Sequence, residues 1–226
     1  MARVPYPARL ALLLSVWVVW WWAAGARLSS AVNLSVIAAG TLLVFPLSVL
    51  GRALLDRRPN QVAWTTTLVH FALGFLFGVP IVRAVETHRD WSGAALRAPR
   101  AAALALVILA AAAFLATVAN LAVKGLGAPF FIALSRKLAA DWLYRRTRNP
   151  MALAGVALLV SLGIWFQSWP FVLWALLLFA PALLVFLKVF EERELEIRFG
   201  APYREYKSRT PMLFRGPGAP ARPANP

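Results

Sequence analysis

The chain alternates long apolar stretches with short basic ones. Six runs are almost free of charge: Leu10–Ala24, Val32–Leu50, Val62–Val82, Ala101–Val123, Met151–Phe166 and Phe171–Phe190. A helix rising about 1.5 Å per residue needs roughly 20 apolar residues to cross a hydrocarbon core about 30 Å thick. Each run is therefore predicted to be a membrane-spanning helix. The last two are joined only by Gln167-Ser168-Trp169-Pro170, which predicts an antiparallel hairpin. Trp17, Trp20, Trp21 and Trp22 lie towards the end of the first run, where an aromatic belt would sit. Arg3, Arg9, an apolar stretch and Ala24-Gly25-Ala26 also fit a cleavable secretion signal. Five further apolar runs favour an uncleaved first span.

Composition strengthens this reading. Of 226 residues, 61% are hydrophobic and only 15% charged, against about 25% charged in soluble domains. A disordered chain would be poor in aromatics, and this one has 10 Trp and 14 Phe. The absence of Cys removes disulfides and thiolate chemistry. The expected fold is all-α, a polytopic membrane helical bundle of about six spans, with a C-terminal helical hairpin and a cytoplasmic helical tail. Residues 1–100 are expected to hold N-terminal spans of unassigned role, 101–215 a membrane core, and 216–226 a disordered Pro-rich tail.

The net charge of +15 has a topological explanation. With six spans, one side carries 19 Lys and Arg and the other 5, namely Arg27, Arg83, Arg89, Arg97 and Arg100. The positive-inside rule places both termini in the cytoplasm. Basic residues spread between apolar runs do not form the continuous face a nucleic-acid binder needs, so no nucleic-acid partner is expected.

Two stretches flank the final hairpin on that basic side. The first starts with Lys124-Gly125-Leu126-Gly127-Ala128-Pro129 and continues to Tyr144-Arg145-Arg146-Thr147-Arg148-Asn149-Pro150-Met151. Glycines admit close backbone approach to a ligand, although alone the pattern also describes a helix end followed by Pro. Asn149 and Pro150 are read as N-cap and first residue of the fifth span. The second stretch is Glu191-Glu192-Arg193-Glu194-Leu195-Glu196-Ile197-Arg198-Phe199-Gly200, with four of the chain's nine acids. Leu195 and Phe199 continue a helical seam, Gly200 supplies a stop, and Glu194 with Arg198 is read as a solvated pair. Glu191 and Glu192 sit at the membrane boundary, where a carboxylate is a functional candidate. Pro202 opens a short helix that places Tyr203 and Tyr206 on one face. His70, inside an apolar span, is read as a hydrogen-bonded interior residue and His88 as a loop residue; no metal site is expected.

In order and spacing, Gly-x-Gly-x-Pro, Tyr-Arg-x-x-Arg-Asn-Pro-Met, an apolar hairpin and Glu-Glu-x-x-Leu-x-x-x-Phe-Gly-x-x-Tyr-x-x-Tyr resemble the membrane methyltransferases. These comprise the isoprenylcysteine carboxyl methyltransferases and the phospholipid N-methyltransferases. The resemblance covers roughly residues 120–211. It implies an S-adenosylmethionine (SAM) site formed by Gly125, Gly127, Arg148, Asn149, Pro150, Glu191 and Glu192, with Tyr203, Arg204 and Tyr206 towards the acceptor. It implies a lipid-like methyl acceptor drawn from the bilayer. The chain departs from the pattern at Ala152, at Trp142-Leu143 and at Phe130–Leu134, which bears on the acceptor. The expected function is an isoprenylcysteine-type O-methyltransferase; the alternatives are a phospholipid N-methyltransferase and a non-catalytic protein that keeps the fold. A transporter is disfavoured because the spans lack a line of ionisable residues.

Overall fold

The structure, a computed structural model, describes residues 4–90, 95–124, 138, 140 and 142–213. The expected Pro-rich tail, 216–226, lies outside the described residues. Among the described residues all regular structure is helical apart from an isolated bridge between Ala95 and Ser168. The elements are α1 (Tyr6–Gly25), α2 (Ser30–Leu42), α3 (Val44–Arg57), α4 (Val62–Thr87), α5 (Arg100–Lys124), α6 (Pro150–Trp165), α7 (Trp169–Trp174), α8 (Ala180–Phe186), α9 (Glu192–Phe199) and α10 (Ala201–Arg209). Five apolar helical runs among the described residues are long enough to cross a membrane: Tyr6–Gly25, Ser30–Arg57, Pro59–Asp90, Arg100–Val123 and Trp169–Phe199. The remaining predicted span, the fifth, is α6, shorter at 16 residues, which packs along α5 and α7. About six spans therefore fit the architecture.

Local sequence explains the departures from straight helix. Pro46 has no N–H to bond the Leu42 carbonyl and its ring crowds that carbonyl. The predicted second span is accordingly broken at Leu43, between α2 and α3. From Trp169 to Phe199 the helix runs continuously through two wide turns, Ala175–Phe179 and Leu187–Glu191. In these the N–H of Ala180 bonds the Ala175 carbonyl, and that of Glu192 the Leu187 carbonyl, five residues back. Pro181 explains the first, because it cannot close onto Leu177. The hairpin turn is fixed from outside. The Leu96 N–H donates to the Gln167 carbonyl at 2.9 Å, and Gln167 Nε2 donates to the Ala98 carbonyl at 2.7 Å.

The core joins α2, α3 and α4 to α6–α9 through Ile37, Val44, Leu55, Val69, Phe77, Phe171, Phe179, Phe186 and Phe190. Outward faces expose Trp21, Trp22, Leu109, Leu115 and Leu177, as lipid-facing helices do. One charge count changes. Arg83, read as a loop residue, is buried inside the bundle, 3% exposed, because α4 continues to Thr87.

α1 is held to α4 where a small residue admits an indole. Trp20 Nε1 donates to the Gly74 carbonyl at 3.0 Å, and a Cβ on Gly78 would fall 2.2 Å from the Trp20 ring. Gly78→Ala should therefore displace the ring and cost about 1–3 kcal/mol. The measurement is the midpoint of reversible unfolding in mixed micelles, and an unchanged midpoint would contradict this α1–α4 contact.

Candidate active site

The two stretches singled out in the sequence meet at one end of the bundle. A short turn, Trp142–Arg145, leads into the loop before α6, and Pro150 starts α6. From that loop Arg148 NH1 donates to Glu192 Oε1 at 2.6 Å, with side chains only 8% and 7% exposed. The other carboxylate oxygen, Oε2, takes Lys207 Nζ at 2.7 Å and Lys188 Nζ at 3.3 Å. Glu192 is thus a buried hub for cations from three elements. The wide turn ending at Glu191 contributes Lys188, and α10 contributes Lys207.

Asn149 does not cap α6 with its side chain. Its Nδ2 instead donates to the Met212 carbonyl at 3.0 Å, alongside Thr147 Oγ1 at 3.0 Å, while the Arg148 N–H donates to the Pro211 carbonyl at 2.9 Å. A residue outside the helix face can satisfy the tail's carbonyl, which straightforward N-capping would not. The C-terminal segment therefore folds back and holds the Arg148 loop.

Tyr203 and Tyr206 do share one buried face of α10, packed with Tyr144 and against Leu121, Leu195 and Phe199. Tyr206 OH donates to the Tyr144 carbonyl at 2.6 Å, and Tyr203 is hydrogen-bonded with Arg148. Burial pushes all three phenols above the ordinary tyrosine range, so each stays protonated. Burial works against the Lys207 ammonium, but its bonds to Glu192 and Glu196 outweigh that and raise its pKa. Arg204, Arg145 and Arg146 are exposed. Only Arg148 of the expected arginine cluster bonds Glu192. Gly125 and Gly127 lie outside the described residues.

Glu191 differs from its neighbour. It lies close enough to Glu192, Glu194, Arg198, Tyr144 and Tyr203 to interact with each electrostatically. Glu194 is not solvated as the sequence suggested. It is 2% exposed and paired with Arg198. Four buried side-chain atoms among the described residues have no partner: Arg148 Nε at this hub, Arg9 Nε, Thr66 Oγ1, and Asn120 Nδ2 near the end of α5. An orphaned buried donor is costly unless a ligand completes it. Together with Glu191, the Arg148 donor suits a zwitterion carrying an ammonium and a carboxylate, which is the chemistry of SAM's amino-acid end.

Sequence reasoning missed Lys207, Thr147, the Met212 carbonyl and Asp56, which receives Arg193 Nε at 2.6 Å. Lys207 was findable: it follows Tyr203 by four on α10, the same helical face. Asp56 was not, since nothing local ties α3 to α9.

No curated protein and no solved structure matches the chain. Residues 98–201, a little under half of the chain, match the family model described as phospholipid methyltransferase. That match takes in Arg148, Asn149, Pro150, Glu191 and Glu192, and it agrees with the membrane methyltransferases that the motif order resembles.

Proposed function

We propose that the protein is a SAM-dependent methyltransferase acting on a lipid or lipid-like acceptor at one face of the membrane. The observation that carries this is the 2.6 Å bond between Arg148 and Glu192, which joins both motif stretches at a buried point. SAM, when bound, supplies an electrophilic methyl group on a sulfonium. The chain's own residues bind and align. Arg148, positioned by Glu192 and Tyr203, offers Nε to the carboxylate end. Glu191 receives the ammonium or ribose hydroxyls, and Gly125 and Gly127 are assigned to backbone contact with the cofactor. Tyr203 and Tyr206, protonated and buried, wall the pocket against water, and exposed Arg204, Arg145 and Arg146 favour an anionic lipid surface.

Asp56 at the end of α3 pairs with Arg193 beside the site. Alternation of the spans then brings the start of α1 to the same end, and the basic side is assigned to the cytoplasm. Residues 101–215 are assigned as the methyltransferase core, and either a carboxylate or an amine acceptor fits.

Purified protein in nanodiscs is expected to bind S-adenosylhomocysteine by calorimetry. It should transfer label from methyl-labelled SAM into the organic phase of a total lipid extract. Absence of both binding and transfer would defeat the proposal, and binding without transfer would favour a non-catalytic protein that keeps the fold.

A further inference from the structure

The family match covers residues 98–201 and leaves α4 outside it. Yet α4 brings a titratable group to the same end of the bundle. His70 sits two turns into α4, with its ring edge-on to Phe186 and Phe190 at centroid distances of 5.6 and 5.9 Å. Phe186 immediately precedes the wide turn that carries Lys188 and Glu191, and Phe190 is part of it. His70 Nδ1 lies 2.8 Å from the Thr66 carbonyl. A carbonyl only accepts, so Nδ1 carries the proton and Nε2 keeps its lone pair.

The surroundings are polar on one side. Glu194 and Arg198 of α9 interact electrostatically with His70. Glu194 in turn interacts with Glu191, and Glu191 with Glu192. The charged groups therefore run from α4 to the Arg148–Glu192 hub. One turn before His70, Thr66 Oγ1 is fully buried with no partner. From the other helices packed on α4, α3 carries Arg52 and Asp56, which pair with each other and, through Asp56, with Arg193. α1 carries Arg9, which is partly exposed. No carboxylate among the described residues bonds the His70 ring directly, which leaves Nε2 available.

We propose that α4 supplies the site's proton acceptor at His70 Nε2, and that the three N-terminal spans complete the catalytic pocket by carrying it. This rests on the methyltransferase reading. An ammonium acceptor has no lone pair to offer until it loses a proton. Nε2 takes that proton, the N–H bond breaking and its electron pair staying on the acceptor nitrogen. Glu194 attracts the resulting imidazolium, and Arg198 opposes it. A carboxylate acceptor would not need the residue.

The chain has two histidines, so a His88→Gln background leaves His70 as the sole imidazole. In nanodiscs, ¹⁵N NMR of that background should show the proton on Nδ1, and S-adenosylhomocysteine should shift the resonance. Against lysophosphatidylethanolamine at neutral pH, His70→Gln should lower kcat about 100-fold and leave S-adenosylhomocysteine affinity unchanged. The deficit should shrink as pH rises and the amine loses its proton unaided. His70→Asn, which can keep a donor to Thr66, should show the same deficit; recovery in that variant would make the role structural and overturn the proposal. Wild-type kcat in His70→Gln would overturn it too, with the methyltransferase reading left standing. No binding or transfer by the wild-type protein would overturn both.

Discussion

Glu192→Gln is expected to lower affinity for S-adenosylhomocysteine by at least about 100-fold and to destabilise the end of the bundle that carries α9 and α10. Glu192 is 5% exposed and balances Arg148, Lys188 and Lys207. Removing one partner of a buried ion pair leaves the other charge uncompensated, at about 3–5 kcal/mol, and about 1.4 kcal/mol is tenfold in binding. Arg148 feels the loss most, since its side chain is 8% exposed, whereas Lys207 keeps Glu196 at 2.8 Å. A freed guanidinium no longer presents Nε in one direction. Glu191→Gln makes the contrast. Its carboxylate bonds no cation at salt-bridge distance among the described residues, so the variant should lose comparable affinity with little change in unfolding midpoint. Calorimetric titration and mixed-micelle unfolding of both variants check the pair. Equal affinity loss with equal destabilisation would mean that Glu191 is structural and not a ligand group.

Most of the helical architecture was legible because apolar length is a strong signal in lipid, where each backbone group must be satisfied within its own helix. The Gly200 stop, the α10 helix and the shared face of Tyr203 and Tyr206 followed from local rules. What escaped the sequence was interhelical. Glu194 and Arg198 pair at the predicted spacing, but the sequence does not say that α9 presses Glu194 into the bundle. Asn149 precedes α6 as a cap should, yet its side chain is claimed by Met212, 63 residues on. His70 looked like an interior residue on α4; only the packing of α4 on α9 gives it charged neighbours. For the site, the acidic and basic motif pieces were found, and Lys207 was within reach of the helical spacing on α10, while Asp56 came from packing alone.

Asn33→Leu is expected to destabilise the N-terminal bundle by about 1–3 kcal/mol for each buried guanidinium N–H it leaves unmet. Arg83 is 3% exposed and donates to Asn33 Oδ1 from Nε at 2.9 Å and from NH2 at 2.6 Å, and to the Ala23 carbonyl from NH1 at 2.5 Å. The last carbonyls of a helix have no partner within it, and α1 has no basic residue in its last turn. Arg83, 60 residues away, serves that end. Asn33 in turn donates to the Leu28 carbonyl at 3.2 Å, tying down the turn between α1 and α2. One guanidinium thus fixes three helices where water is scarce, and its charge is tolerable only while its N–H groups are met. Asn33→Leu strands two of them. Arg83→Met strands the Asn33 and Ala23 oxygens, at about 1–3 kcal/mol per unsatisfied group. The double variant removes both members of the pair, leaves only the Ala23 and Leu28 carbonyls unmet, and should lose less than the sum of the single variants, so the two effects must be non-additive. Reversible unfolding of the four proteins in mixed micelles closes the cycle. Additive losses would mean that Arg83 and Asn33 stabilise the bundle independently.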